Sequence, residues 1–226
     1  MHPTLAERVM RALNRGRTSA HRRTRSALFA AGALVLAGCA GGGGKAQSGN
    51  TLYDFGASDH PAAATGAAQT MPAIVVTDVT GNAVFDNERM FYRLNYADPL
   101  QARSYANSRW SSTPLQMLTQ RFKSRLAQAG VKVLSATDAS AGVPLLRIDL
   151  DDFTHTFDSS TQSHGQVVLR ASLFQGHSLV DQRTFRRRID AGSVDAGGGA
   201  RALAQATDAV AADIIGWMAT QNLRQR

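Results

Sequence analysis

The chain has 226 residues, enough for one domain with a substantial core or at most two small ones. Its net charge of +8 is concentrated in the first 38 residues, where Arg8, Arg11, Arg15, Arg17, Arg22, Arg23 and Arg25 stand against one acid, Glu7; removing that +6 leaves +2, too little to drive binding to a phosphate backbone, so nucleic acid is excluded as a partner. The single cysteine, Cys39, excludes an internal disulfide framework and a cysteine-cluster metal site.

Behind the arginines, Ala27 to Gly38 form an apolar run too short to span a bilayer as a helix but suited to the core of an export signal. It ends Leu36-Ala37-Gly38-Cys39, which resembles the lipobox of bacterial lipoproteins: a branched apolar residue, two small residues and the cysteine that takes the lipid. The resemblance implies a signal peptide at 1–38, cleavage between Gly38 and Cys39, and acyl chains on Cys39. Met10 is an alternative start that shortens the basic region. Arg22-Arg23 is a weak twin-arginine signal inside an arginine-rich leader, and ordinary secretion is favoured.

Residues 39–70 are rich in Gly, Ala and Ser, starting with Gly41 to Gly44, and read as a flexible tether with a span on the order of 30 Å. A short aromatic patch near 52–56, Leu52-Tyr53-Asp54-Phe55-Gly56, is expected to dock as an edge strand. The domain proper is expected over 71–226. Ile74 to Val79 and Met90 to Tyr96 read as strands. A helix follows, capped by Ser112 or Thr113, with Pro114 in its first turn and Leu115, Leu118, Phe122 and Leu126 on one face before Gly130; Arg121, Lys123 and Arg125 lie off that line. Val131 to Leu134 is a short strand. Three longer strands come next, Leu145 to Phe157, Gln166 to Phe174 and Leu179 to Ile189, the last two joined by a turn at 175–178. In the first, Leu146, Ile148 and Leu150 alternate with Arg147, Asp149 and Asp151, giving one buried and one wetted face. Ala200 to about Leu223 forms the closing helix, its stripe running through Leu203, Ala206, Val210, Ile214, Trp217 and Met218. The class is α+β: two layers, a mixed or mainly antiparallel sheet with helices packed on one face.

No residue set reaches catalytic quality. A Gly-x-Ser-x-Gly elbow is missing, His60, His155, His164 and His177 lack metal-ligand spacing and read as surface or rim residues, and Asp149, Asp151, Asp152 and Asp158 lack the glycine and glutamate of a calcium loop. Gly197-Gly198-Gly199 reads as a flexible helix entry rather than an anion cradle. In Arg186-Arg187-Arg188, the outer two arginines point to one face and Arg187 to the other, as on a solvated edge that discourages pairing. Phe91, Tyr92, Tyr96, Tyr105 and Trp110 interleave with Arg93, Arg103 and Arg109, a mixture enriched at interfaces, although Phe91, Tyr96 and Trp110 also suit a core. No enzyme, metal or cofactor is expected.

Tyr53-Asp54-Phe55-Gly56, the strand at Ile74, Met90-Phe91-Tyr92-Arg93, Tyr105, Arg109-Trp110 and the helix with Leu115 and Leu118 together resemble the ABC-type transport auxiliary lipoprotein family, whose members include the PqiC lipoprotein of the paraquat-inducible system. The resemblance implies a non-enzymatic component of an intermembrane lipid transport system, with an MCE-domain protein and its ABC permease and ATPase as partners, outer-membrane lipid engaged through acylated Cys39, and homo-oligomerisation open. It implies partner-binding roles for Tyr92, Arg93, Tyr105, Arg109 and Trp110. Ser111-Ser112 departs from the acidic or Ala/Pro residues that commonly follow the tryptophan in relatives. Ala40, rather than aspartate, after the acylated cysteine favours the outer membrane, facing the periplasm. The competing reading is a structural or assembly lipoprotein of the outer membrane with no transport role. Cys39→Ser is expected to give an unprocessed, unlipidated chain; intact-mass measurement checks it, and a lipidated variant would refute the anchor.

Overall fold

The computed structural model describes residues 49–57, 71–138 and 142–223. The signal peptide at 1–38, Cys39 with its cleavage site, most of 39–70 and His60 lie outside the described residues. In chain order the elements are β1 (Thr51–Tyr53), β2 (Ile74–Val76), β3 (Thr80–Gly81), β4 (Arg89–Leu94), β5 (Asp98–Trp110), α1 (Pro114–Gln128), β6 (Val133–Leu134), β7 (Leu145–Phe157), β8 (Ser163–Gln175), β9 (Ser178–Asp190) and α2 (Ala196–Ala219).

Strand β7 is shared by most of the sheet. On one side β8 pairs with it antiparallel from Leu145↔Phe174 to Phe157↔Ser163, and β9 then pairs antiparallel with β8. On its other side three short parallel strands lie end to end: β2 at Val75↔Leu145, β3 at Thr80↔Asp149 and β4 at Tyr92↔His155. Beyond them, β6 flanks β2, while β5 flanks β4 and carries the parallel β1 on its far edge. The result is one mixed nine-stranded sheet curled as a half-barrel, with the two helices, an α+β fold.

A β-bulge at Asp151 divides β7. Up to it, Leu146, Ile148 and Leu150 face the helices, as the alternation predicts; the register then shifts between Leu150 and Asp152, and the core-facing positions become Phe153, His155 and Phe157. Below the bulge the outward face is tied by polar groups: the Asp152 carboxylate accepts from Thr154 Oγ1 at 2.6 Å and from Gln166 Nε2 at 2.7 Å. The core-facing side of β8 is Gly165, Val167, Leu169, Ala171 and Leu173, and these meet Leu203, Ala206, Val210 and Ile214 of α2 in a single core that also takes in Leu118, Phe122 and Leu126 of α1. Each large apolar side chain so buried contributes about 1.5–3 kcal/mol.

Several sequence expectations are corrected. Thirteen-residue β5 went unread because most of its residues are exposed on both faces, so it carries no apolar alternation. The expected strand at Ile74–Val79 is split, since Val79 donates its backbone N–H to Thr119 Oγ1 of α1 at 2.8 Å rather than to the sheet. Thr113, not Ser112, caps α1. Gly197-Gly198-Gly199 is the ordered first turn of α2 rather than a flexible entry: the Asp195 side chain accepts from Gly198 N at 2.7 Å, and a Cβ at Gly199 would sit 2.3 Å from His155 Nδ1. Across the same contact, a Cβ at Gly165 would lie 2.6 Å from Leu203 N.

This close approach of α2 to β7 and β8 tolerates no side chain, so Gly165→Ala is expected to lower stability by about 1–3 kcal/mol through overpacking. Gly216, also in α2 but with open space where its Cβ would stand, should instead gain about 0.5–1 kcal/mol on change to Ala. Denaturant midpoints of the two variants check the pair, and equal shifts would contradict it.

Candidate functional site

Strands β4 and β5 form a two-stranded ribbon that carries all five residues predicted to bind a partner, and the pleat divides them. Met90, Tyr92 and Leu94 turn inward, while Arg89, Phe91 and Arg93 turn outward. Trp110 belongs to the core: it is 2% exposed, with Phe55 edge-on at 6.0 Å and Phe153 tilted at 5.4 Å. Tyr92 and Tyr105 are half-buried and in contact, ring centroids 4.7 Å apart. Arg93 lies outward and braces the β4–β5 turn, its Nη1 donating to the carbonyls of Pro99 and Leu100 at 3.2 and 3.3 Å. Arg109 is exposed and directly opposite Arg89, with exposed Leu52 beside it on β1. Among the described residues neither guanidinium has an ion-pair partner, and like charges placed opposite each other destabilise a ladder. Tyr96, a candidate for the core, is instead 54% exposed at the turn.

Inside the half-barrel, where α2 begins, Tyr105 and His155 meet. The phenol oxygen lies 2.8 Å from His155 Nδ1, Phe157 packs on the imidazole at 4.4 Å, and Gly199 closes over the ring. His155 is fully buried and its Nε2 has no hydrogen-bond partner. Burial, aided by nearby His164, pushes its pKa down to about 4 against the opposing pull of Asp195, so the ring is neutral at ordinary pH. Burial also pushes the Tyr105 phenol up. His164 is buried on the outward face beside Asp158, which also holds Arg188 at 2.6 Å; burial and Arg188 lower its pKa against the pull of Asp158. Both histidines thus differ from the surface positions expected of them, because the bulge at Asp151 turns His155 inward and cross-strand neighbours cover His164.

A third feature joins the helices. Arg121 and Arg125, four residues apart on α1, both grip Asp208 of α2: Arg121 through Nε at 2.7 Å and Nη2 at 2.8 Å, Arg125 through Nε at 2.7 Å and Nη2. Burial raises the Asp208 pKa, yet hydrogen bonds from the two arginines prevail and hold it below the usual carboxylate range. Along this seam runs a groove of about 660 Å³, walled by Ala204, Ala211, Ala212 and Ile215. Sequence reasoning missed the seam, although the spacing of Arg121 and Arg125, each three residues after a core position of α1, was a readable signal.

The buried imidazole is paired with a phenol whose pKa is pushed up, the Asp195 carboxylate lies near enough to act on both, and among the described residues no three His, Cys, Asp or Glu side chains are grouped to hold a metal. No helix among them is long and apolar enough to cross a membrane.

Residues 53–215 match the family model of the ABC-type transport auxiliary lipoprotein component. The chain belongs to that family. Its fold recurs in protein XCC0632 from Xanthomonas campestris, 22% identical with a TM-score of 0.64 over 74% of this chain and 93% of that one. It recurs again in an uncharacterized protein, 15% identical with a TM-score of 0.60 over 75% and 98% of the two chains. No curated protein matches significantly. Membership makes this a transport-associated lipoprotein, and the match beginning at Tyr53 takes in the end of β1.

The neutral His155 has a pH signature. An unfolded histidine titrates near 6.5 and the folded one near 4, so between these values the unfolded state binds more protons and stability falls as pH falls, by about 3 kcal/mol in all before levelling off below pH 4. Urea unfolding from pH 7 to 4 measures the slope, and His155→Phe is expected to remove most of it; an unchanged slope would assign those protons elsewhere.

Proposed function

We propose that this auxiliary lipoprotein is a non-enzymatic adaptor, anchored through acylated Cys39 to the outer membrane facing the periplasm, that binds the MCE-domain protein of an ABC-type lipid transport system. Family membership supports the transport setting. The observation that carries the binding site is the outward pair Arg89 and Arg109 at the base of the β4–β5 ribbon, exposed, without ion-pair partners among the described residues, and flanked by Leu52 at 63% exposure. Two opposed cations beside an apolar side chain suit a partner surface carrying carboxylates around an apolar residue. Arg109 is the contact residue of this reading, Tyr92 and Tyr105 set the ribbon's inner surface, Arg93 holds its far end in shape, and Trp110 anchors its base to the core.

Arg109→Glu keeps a solvent-exposed polar side chain and reverses the charge. It is expected to cut crosslinking to the MCE-domain protein in native membranes at least tenfold while leaving the protein's own thermal midpoint within about 2 °C, the behaviour of a surface substitution. Undiminished crosslinking would move the interface off the ribbon base. Absence of any MCE-domain protein among the crosslinked partners would remove the transport adaptor itself.

A further inference from the structure

The far end of the ribbon is unlike its base. Leu100 is 88% exposed, the highest value among the large apolar residues described, and Tyr96 is 54% exposed on the same turn, with Pro99 between them in the chain. This exposure is held in place. Arg93 Nη1 donates to the carbonyls of Pro99 and Leu100, Asp98 Oδ1 accepts from Leu100 N at 2.9 Å, Ala97 N donates to Leu94 O at 3.0 Å, and Asn95 N donates to Phe157 O at 2.9 Å, tying the turn to β7. A loop that presents a leucine and a tyrosine to water while spending five hydrogen bonds on keeping its shape is displaying them.

The direction of β1 says to what. It runs parallel to β5, Thr51 beside Ser108 and Tyr53 beside Trp110, so its N-terminal end is directed along β5 toward the Tyr96–Leu100 turn. Twelve residue steps separate Thr51 from Cys39, a reach of about 40 Å at most. Strand β5 from Ser108 back to Asp98 covers on the order of 30 Å. Because β1 is part of the sheet, as expected of the patch at 52–56, it is this short span that joins Cys39, the anchor of the proposed reading, to the domain. The anchored chain therefore enters the domain from the side of the exposed turn.

We propose that the Tyr96–Leu100 turn seats on the surface of the bilayer that holds the acyl chains, Leu100 entering the acyl boundary and Tyr96 lying at headgroup level, so that the domain stands on the membrane by two points. The inference rests on the lipid-anchor reading. It concerns the apolar interface and not anionic headgroups, because at this end Arg93, Arg103 and Arg188 stand against Asp98, Asp158 and Asp190, with Arg188 already held by Asp158, and no net positive field remains. Tyrosine is at home at that depth. With the turn on the membrane, the Arg89–Arg109 base points away from it.

Acylation occupies the sole cysteine, so Leu100→Cys supplies a unique thiol. The lipidated full-length mature variant, labelled there with an environment-sensitive fluorophore, is reconstituted into phosphatidylcholine vesicles with and without phosphatidylglycerol, beside a control labelled at His177→Cys in the β8–β9 turn at the opposite end of the sheet. The expected result is a blue shift and at least twofold quenching by brominated lipid at Leu100 and none at His177, unchanged by phosphatidylglycerol or salt. A Leu100 probe that stays aqueous on vesicle-bound protein overturns the proposal, as does a probe that shifts only when a protein partner is added. Flotation reads the anchor separately: lipidated protein that fails to float, with Leu100 unquenched, overturns both.

Discussion

Strand β7 has to satisfy two neighbours that differ in kind. One edge meets the single long strand β8, while the other meets three short strands laid end to end, which pair with it at 145–146, 149–150 and 155–157. The bulge at Asp151 makes this compatible with one core. It bends the strand and exchanges its faces, so that above it leucine and isoleucine meet the helices, and below it phenylalanine and histidine do. The curl of the half-barrel, the burial of His155 and the position of β4 beside the lower half of β7 all depend on that one extra residue.

The lower half is held by contact at short range. Gly165 and Gly199 let backbone meet backbone and ring where any Cβ would intrude, and this brings the start of α2 down onto His155 and, through it, Tyr105. The same helix is pinned at other points by ions: Asp208 to Arg121 and Arg125 of α1, and Asp213 to Arg187 of β9 at 2.6 Å. Partly buried bidentate pairs of this kind set the orientation of packed elements more than they add stability, since desolvation offsets most of their attraction. The sheet and helices thus present a rigid frame on which the β4–β5 ribbon is mounted.

The ribbon leaves chemistry unspent at both of its ends. Its base has two cations facing each other and its tip has a leucine in water, and neither is compensated among the described residues. The two ends of one ribbon, about 30 Å apart, thus carry two different exposed chemistries.

By itself the sequence determined the α+β class, both helices and the long strands β7, β8 and β9, because these rest on local order and on periodicity that burial imposes residue by residue. It also determined that Arg187 would part from Arg186 and Arg188: Arg187 reaches Asp213 of α2, and Arg188 reaches Asp158 on the outward side. Only the tertiary structure decided the rest. Strand β5 is mostly exposed, and its inward aromatics Tyr105 and Trp110 are too few to show a period. A bulge is invisible in a strand whose residues below it, Thr154, His155 and Thr156, are polar enough to suit either face. Arg121 and Arg125 look solvated until Asp208 arrives from a helix more than eighty residues away. Whether Trp110 meets a partner or Phe153, and whether Leu100 is hidden or displayed, depends on contacts between distant segments, which no local pattern encodes.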